Sequence, residues 1–139
     1  MNVLVPIDDS APARAALEYA VTTHPDADIT ALHAASPSVS TYDVGVSAAD
    51  IERRIEVEKR NAKPLLETAR RIAAEHDASV TTETVVGVPS RAIVSFAAEN
   101  DIEQIVLGSH GRAGVSRVLL GSVAEGVMSR ASVPVTVVR

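Results

Sequence analysis

Cysteine and tryptophan are both missing from this chain of 139 residues. Without cysteine there can be no disulfide, no thiolate nucleophile and no Cys-based zinc site. Aromatic residues amount to 2%, too few to build the stacking platform on which single-stranded nucleic acids are held. Lysine occurs only at Lys59 and Lys63, and the formal net charge is −5. An acidic chain lacks the basic stripe that a phosphate backbone requires, so no nucleic-acid partner is expected. No segment reaches the roughly 18 consecutive apolar residues of a membrane helix, so no membrane partner is expected either. The opening residues Met1-Asn2-Val3-Leu4-Val5-Pro6 carry no basic region. They read as a first strand rather than a signal peptide, and the expected compartment is the cytoplasm.

What the chain does contain is small and aliphatic. Apolar residues make up 46%, mostly Ala, Val, Ile and Leu. The length suits one domain spanning 1–139, able to bury about two-thirds of the surface its unfolded chain exposes. Met1 to Asp8 is an apolar run of the kind found in strands covered on both faces. Asp9-Ser10 offers a helix cap and Pro12 suits a first turn. His24-Pro25-Asp26 should end that helix. Ile29 to Ala35 reads as a second strand, and Ser36 to Ser47 as a surface loop. Asp50 to Glu75 has the longest helical period, with Ile51, Ile55, Leu65, Leu66, Ala69, Ile72 and Ala73 on one face. Pro64 should kink that helix or divide it in two. A third strand is expected over Ser79–Val86. A turn and cap at Gly87-Val88-Pro89-Ser90 then lead a helix to about Ala98. Ile102–Leu107, Ser122–Ala131 and Val133–Val138 complete the pattern as strand, helix and strand.

Strands alternating with helices predict an α/β fold around a single open, mainly parallel five-stranded sheet, helices on both faces. Such sheets bind ligands beyond the carboxyl ends of their strands, where the strand order reverses. Unusual residues collect at two such ends. Strand one closes on Pro6-Ile7-Asp8-Asp9-Ser10. Strand four opens into Gly108-Ser109-His110-Gly111-Arg112-Ala113-Gly114, with Gly121-Ser122 following, so four of the seven glycines lie here. A helix starting at Ser122 would present unpaired N–H groups and a positive dipole end, a natural phosphate site. Ser122-Val123-Ala124-Glu125 is equally a capping box that needs no ligand. Spacing alone leaves turn and phosphate cradle both open. The stretch has no lysine and is not a Walker loop, and strand one lacks the glycines of a dinucleotide fingerprint. Asp8 has two readings as well: a cap for the next helix, or an acceptor for ribose hydroxyls or an adenine amino group. The four histidines are scattered, with no partner at metal spacing.

The run Gly108-x-x-Gly111, nine residues, then Gly121-Ser122 resembles the ATP-binding signature of universal stress proteins. Val3-Leu4-Val5-Pro6-Ile7-Asp8, Gly87-Val88-Pro89 and Pro134-Val135-Thr136-Val137-Val138 extend the likeness over the whole chain. The resemblance implies a Rossmann-like sheet ordered 3-2-1-4-5. It also implies a homodimer joined through the C-terminal strand, Val133 to Val138. It places the nucleoside against Pro6, Ile7, Asp8, Ala34 and Leu107. Ribose and phosphates fall to Gly108, Gly111, Gly121, Ser122 and Val123, and a phosphate-bound Mg²⁺ is possible near Asp8 or Asp9. Ala34 departs from the family, which usually has Val or a similar side chain there, so contact with the base is reduced.

The expected function is therefore binding of ATP, ADP or AMP by a stress-linked sensor or switch. Two alternatives differ in class. A slow ATPase or adenylyl-transferring enzyme would need a Gly-Ser-rich loop after strand one, which Asp8-Asp9-Ser10 does not supply. A dimeric interaction module with an empty pocket would not need the retained glycine signature.

Overall fold

The computed structural model describes residues 1–36, 47–110 and 120–139. Five strands and four helices alternate: β1 (Asn2–Pro6), α1 (Ala11–Thr23), β2 (Asp28–Ala35), α2 (Ala48–Glu75), β3 (Thr81–Val86), α3 (Pro89–Glu99), β4 (Gln104–Gly108), α4 (Ser122–Arg130) and β5 (Val135–Val138). The sheet has the order β3-β2-β1-β4-β5, and every pairing is parallel. This is the expected architecture.

Alternation along the strands divides the core. Val3, Val5, Ile29, Ala31 and Val106 face α1 and α2. Leu4, Leu32, Ile105 and Leu107 face α3 and α4. Both faces are thus covered, which is why β1 is apolar throughout rather than alternating. The β1–β2 ladder runs from Asn2↔Asp28 to Pro6↔Leu32. The β1–β4 ladder stops at Leu4↔Ile105. Beyond that point the two central strands have no ladder between them.

Local chemistry fixes the helix ends. Ser10 caps α1, its hydroxyl accepting from Ala13 N–H at 3.2 Å, with proline in the first turn. Ser47 and Asp50 form a full capping box on α2, so this helix begins two residues before the expected Asp50. The Ser47 hydroxyl and backbone N–H, with Arg53 adding to them, hold the Asp50 carboxyl below the ordinary aspartate range. α2 and α3 both end on an aspartate in the left-handed region, Asp77 and Asp101. There Ala78 N–H reaches Ala73 O and Ile102 N–H reaches Ala97 O, the pattern of a Schellman turn.

Three expectations are corrected. α2 is one helix across Pro64 and is not divided in two there. Both Pro64 and Arg60, whose carbonyl loses its partner, are exposed, so water can satisfy that carbonyl. Ile51 is 49% exposed, and the buried residues of α2 start at Ala62; the first turns of α2 carry the apolar stripe past the core. The expected cap at Ser90 is absent, because α3 starts at Pro89 with Val88 as N-cap and no side-chain cap.

Candidate functional site

A cavity of about 360 Å³ opens past the carboxyl ends of β1, β2 and β4, a size usual for small-molecule sites. It lies where the β1–β4 ladder has ended, between Pro6-Ile7-Asp8 on one side and Leu107-Gly108 on the other. Ala34 reaches it from β2, and Gly121, Ser122 and Val123 from the start of α4. Nine of the ten residues singled out in the sequence therefore share one cavity. The tenth, Gly111, lies outside the described residues, as do Arg112 and Arg117.

The start of α4 differs from the capping box that the sequence offered. The N-cap is Gly121 (φ −69°, ψ 162°), with no side-chain cap. Ser122 is already inside the helix, and Glu125 N–H closes the first turn on Gly121 O at 3.0 Å. The box fails by one residue: Ser122 cannot cap a helix of which it is the first member. Among the described residues, nothing accepts from the N–H groups of Ser122, Val123 and Ala124, and the Ser122 hydroxyl has no partner. Three donors and a hydroxyl thus stand at the edge of the cavity, at the positive end of a helix.

The other walls are more constrained. Asp8 Oδ1 accepts from Ser10 N–H at 2.9 Å, which orients the carboxylate and leaves Oδ2 for another donor. The capping role and a binding role are thus compatible. Asp9 turns away and pairs with Arg14 at 3.1 Å on the surface, so of the two aspartates only Asp8 lines the cavity. Among the described residues no cluster of three or more His, Cys, Asp or Glu is placed to hold a metal. Asp8 alone would suit only a Mg²⁺ brought in by a ligand's own phosphates, since that ion commonly uses one or two protein carboxylates.

The glycines at strand four serve the fold as well as the cavity. A Cβ on Gly108 would lie 2.7 Å from the carbonyl carbon of Pro12 and 2.9 Å from Ala13 N. The missing side chain makes room for the first turn of α1. Gly121 N–H donates to Ser109 O at 2.7 Å, and Ser109 N–H donates to Val138 O at 2.7 Å. The start of α4 is thereby tied to the ends of β4 and β5.

Several lining residues escaped the sequence reading, among them Leu32, Pro89 and Ile93. His33 also lines the cavity, with Nδ1 3.4 Å from Ile7 O; a carbonyl only accepts, so that nitrogen carries the proton in this contact. His110, another lining residue, has Nδ1 3.2 Å from Ser109 Oγ, which fits a loop-orienting part. Pro89 had a signal, the Gly87-Val88-Pro89 motif at a strand end.

Fold, cavity and open helix start can be set beside known proteins. The family model described as "Universal stress protein family" matches residues 1–139. The chain belongs to the universal stress protein family. It is 34% identical to the universal stress protein MJ0531 of Methanocaldococcus jannaschii, covering 99% of this chain and 81% of that one. It is 32% identical to YxiE of Bacillus subtilis, covering 99% and 98%. It spans about half of some longer relatives, 47% of one from Mycolicibacterium smegmatis. Among solved structures, the universal stress protein UspA of Lactobacillus plantarum superposes with a TM-score of 0.81 at 29% identity, covering 100% and 97%. One universal stress protein structure is a complex with cAMP (TM-score 0.73, 25% identity, covering 100% and 97%). Another, from Archaeoglobus fulgidus, is a complex with dAMP (TM-score 0.72, 26% identity, covering 100% and 98%). Among the described residues no helix is long and apolar enough to cross a membrane.

Proposed function

We propose that this chain binds an adenine nucleotide, ATP or its di- or monophosphate, and works as a sensor or switch rather than a catalyst. The observation that carries the proposal is the uncapped start of α4 at the edge of a nucleotide-sized cavity. The N–H groups of Ser122, Val123 and Ala124 and the Ser122 hydroxyl receive the phosphate nearest the ribose. Gly121 lets the chain pass close to it, and the signature residues Gly108 and Gly111 belong to the same proposed cradle. Asp8 Oδ2 accepts from the ribose or the adenine amino group, away from the phosphates, where two negative charges would repel. Pro6, Ile7, Ala34 and Leu107 form the apolar walls. The cAMP and dAMP complexes of family members support an adenine nucleotide. A Mg²⁺ arriving with the phosphates would offset that repulsion, with Asp8 as the cavity carboxylate able to meet it. The setting is the cytoplasm.

The test is direct. Freshly purified protein is denatured and the supernatant analysed by mass spectrometry, with and without prior incubation with ATP. An adenine nucleotide approaching one per chain is the expected result. None, even after incubation, would overturn the reading.

We also propose a homodimer through β5. Its edge has no strand partner among the described residues, and Val135-Thr136-Val137-Val138 carries no charge. The opposite edge, β3, is guarded by the exposed Glu83, one of the devices that discourage edge pairing. The bonds Ile105 N–H to Pro134 O and Ser109 N–H to Val138 O turn residues 134, 136 and 138 toward β4. Val135 and Val137 therefore offer their backbone groups outward. Light scattering at micromolar protein is expected to give twice the chain mass. Val137→Pro removes an outward N–H and spares the β4 ladder, so it is expected to shift the population to monomer. A monomeric unsubstituted chain would remove the proposal.

A further inference from the structure

A close contact between two helices, α3 and α4, lies one turn from the candidate phosphate site. Gly126 sits inside α4, where glycine costs about 1 kcal/mol relative to alanine. Its position explains why it is tolerated. A Cβ there would stand 2.5 Å from Ser90 Cβ and 2.8 Å from Ser90 Oγ in the first turn of α3. No real Cβ keeps such distances, so α3 and α4 touch through the bare backbone of one and a two-atom side chain of the other. Both helices begin at the cavity: Pro89 of α3 and Ser122, Val123 and Ala124 of α4 line it. Neither start has a side-chain cap.

We propose that Gly126 and Ser90 are positioning residues for the nucleotide phosphate, and this rests on the adenine-nucleotide reading above. Their contact sets how far the α4 start stands from the α3 start. Ser122 lies four residues before Gly126, about 6 Å along the helix axis, so a displacement at the contact passes to the donors nearly undiminished. To clear a new methyl group the helices must part by roughly 1 Å, against the about 0.5 Å tolerance of a well-held site. The nucleoside contacts come from Pro6, Asp8 and Ala34 on other elements and are not moved by this wedge. The signature is thus selective: phosphate recognition falls and nucleoside recognition stays.

The experiment measures binding of AMP and of adenosine by calorimetry, with the thermal midpoint of each variant. The unsubstituted protein is expected to prefer AMP. Gly126→Ala is expected to weaken AMP by about tenfold, as for one misaligned bond to a charged group, with adenosine affinity unchanged. The double variant Gly126→Ala/Ser90→Gly, which removes the opposing Cβ, is expected to restore AMP binding. If Gly126→Ala does not fold, Ser90→Thr pushes on the same contact from α3 and is expected to give the same selective loss. Equal losses for AMP and adenosine, or no loss with a shifted midpoint, would assign the pair to stability alone and overturn the proposal. Failure of the unsubstituted protein to bind either ligand would overturn the nucleotide reading, and this proposal with it.

Discussion

Gly121→Asp is expected to weaken nucleotide binding by about 10²- to 10³-fold, equivalent to roughly 3–4 kcal/mol, while leaving the fold as stable as before. The two outcomes separate because the substitution suits the helix and not the ligand. Gly121 is the N-cap of α4 with an ordinary extended backbone, so aspartate needs no unusual conformation. Its nearest new contact is the His110 Cα at 3.0 Å, which small adjustments relieve. Aspartate is a preferred N-cap and improves on glycine by a few tenths of a kcal/mol. Its carboxylate would accept from the N–H of Val123 or Ala124, the donors that a phosphate would use. It would also set a negative charge near the phosphate, costing roughly 1–4 kcal/mol at about 4 Å. Gly121→Asn takes the same donors without the charge and is expected to lose only about tenfold. Titration calorimetry with ATP and thermal melts of the three proteins decide the matter. Unchanged affinity in a folded Gly121→Asp protein would move the phosphate away from α4.

Gly108→Ala is expected to do the opposite, damaging the fold first. Its Cβ would meet Pro12 C at 2.7 Å, Pro12 Cβ at 2.8 Å and Ala13 N at 2.9 Å. Two of these are backbone atoms, so no rotamer change relieves the clash and the first turn of α1 must retreat. Overpacking of this kind costs about 2–3 kcal/mol, or roughly 6–12 °C in thermal midpoint for a chain of this size. The retreat also moves Ser10 and, through its N–H, the Asp8 carboxylate, so binding is expected to weaken secondarily. A midpoint within about 2 °C of the unsubstituted protein would show that the α1 turn can shift without loss.

Much of this was visible before any coordinates. The unbroken aliphatic run Val3-Leu4-Val5 announced a central strand, and Ser10 with Pro12 announced the start of α1. Glycine spacing picked out the cavity's rim. What the sequence withheld has definite causes. Helical periodicity tells which side of α2 is apolar but not how far the sheet extends beneath it, so Ile51 looked internal and is exposed. A serine three residues before a glutamate resembles a capping box whether or not the helix starts one residue earlier, and only the backbone at Gly121 decides. Gly108 was legible as a glycine that matters, but its partner Pro12 is remote in the chain. His33 and Ile93 reach the cavity only because β2 and α3 fold over the same end of the sheet, a juxtaposition that no local pattern encodes.

The early end of the β1–β4 ladder has a thermodynamic consequence. The cavity beyond it is walled by residues from 6–13, 32–36, 89–93, 107–110 and 121–124, segments far apart in the chain that the fold brings together. A ligand held there is therefore linked to global folding: at a free concentration 100 times its dissociation constant it adds about 2.7 kcal/mol to the stability of the whole domain. If the proposed nucleotide binds there, occupancy would also lengthen the lifetime of the folded protein, because each opening of the chain must first release the ligand from the fork between β1 and β4.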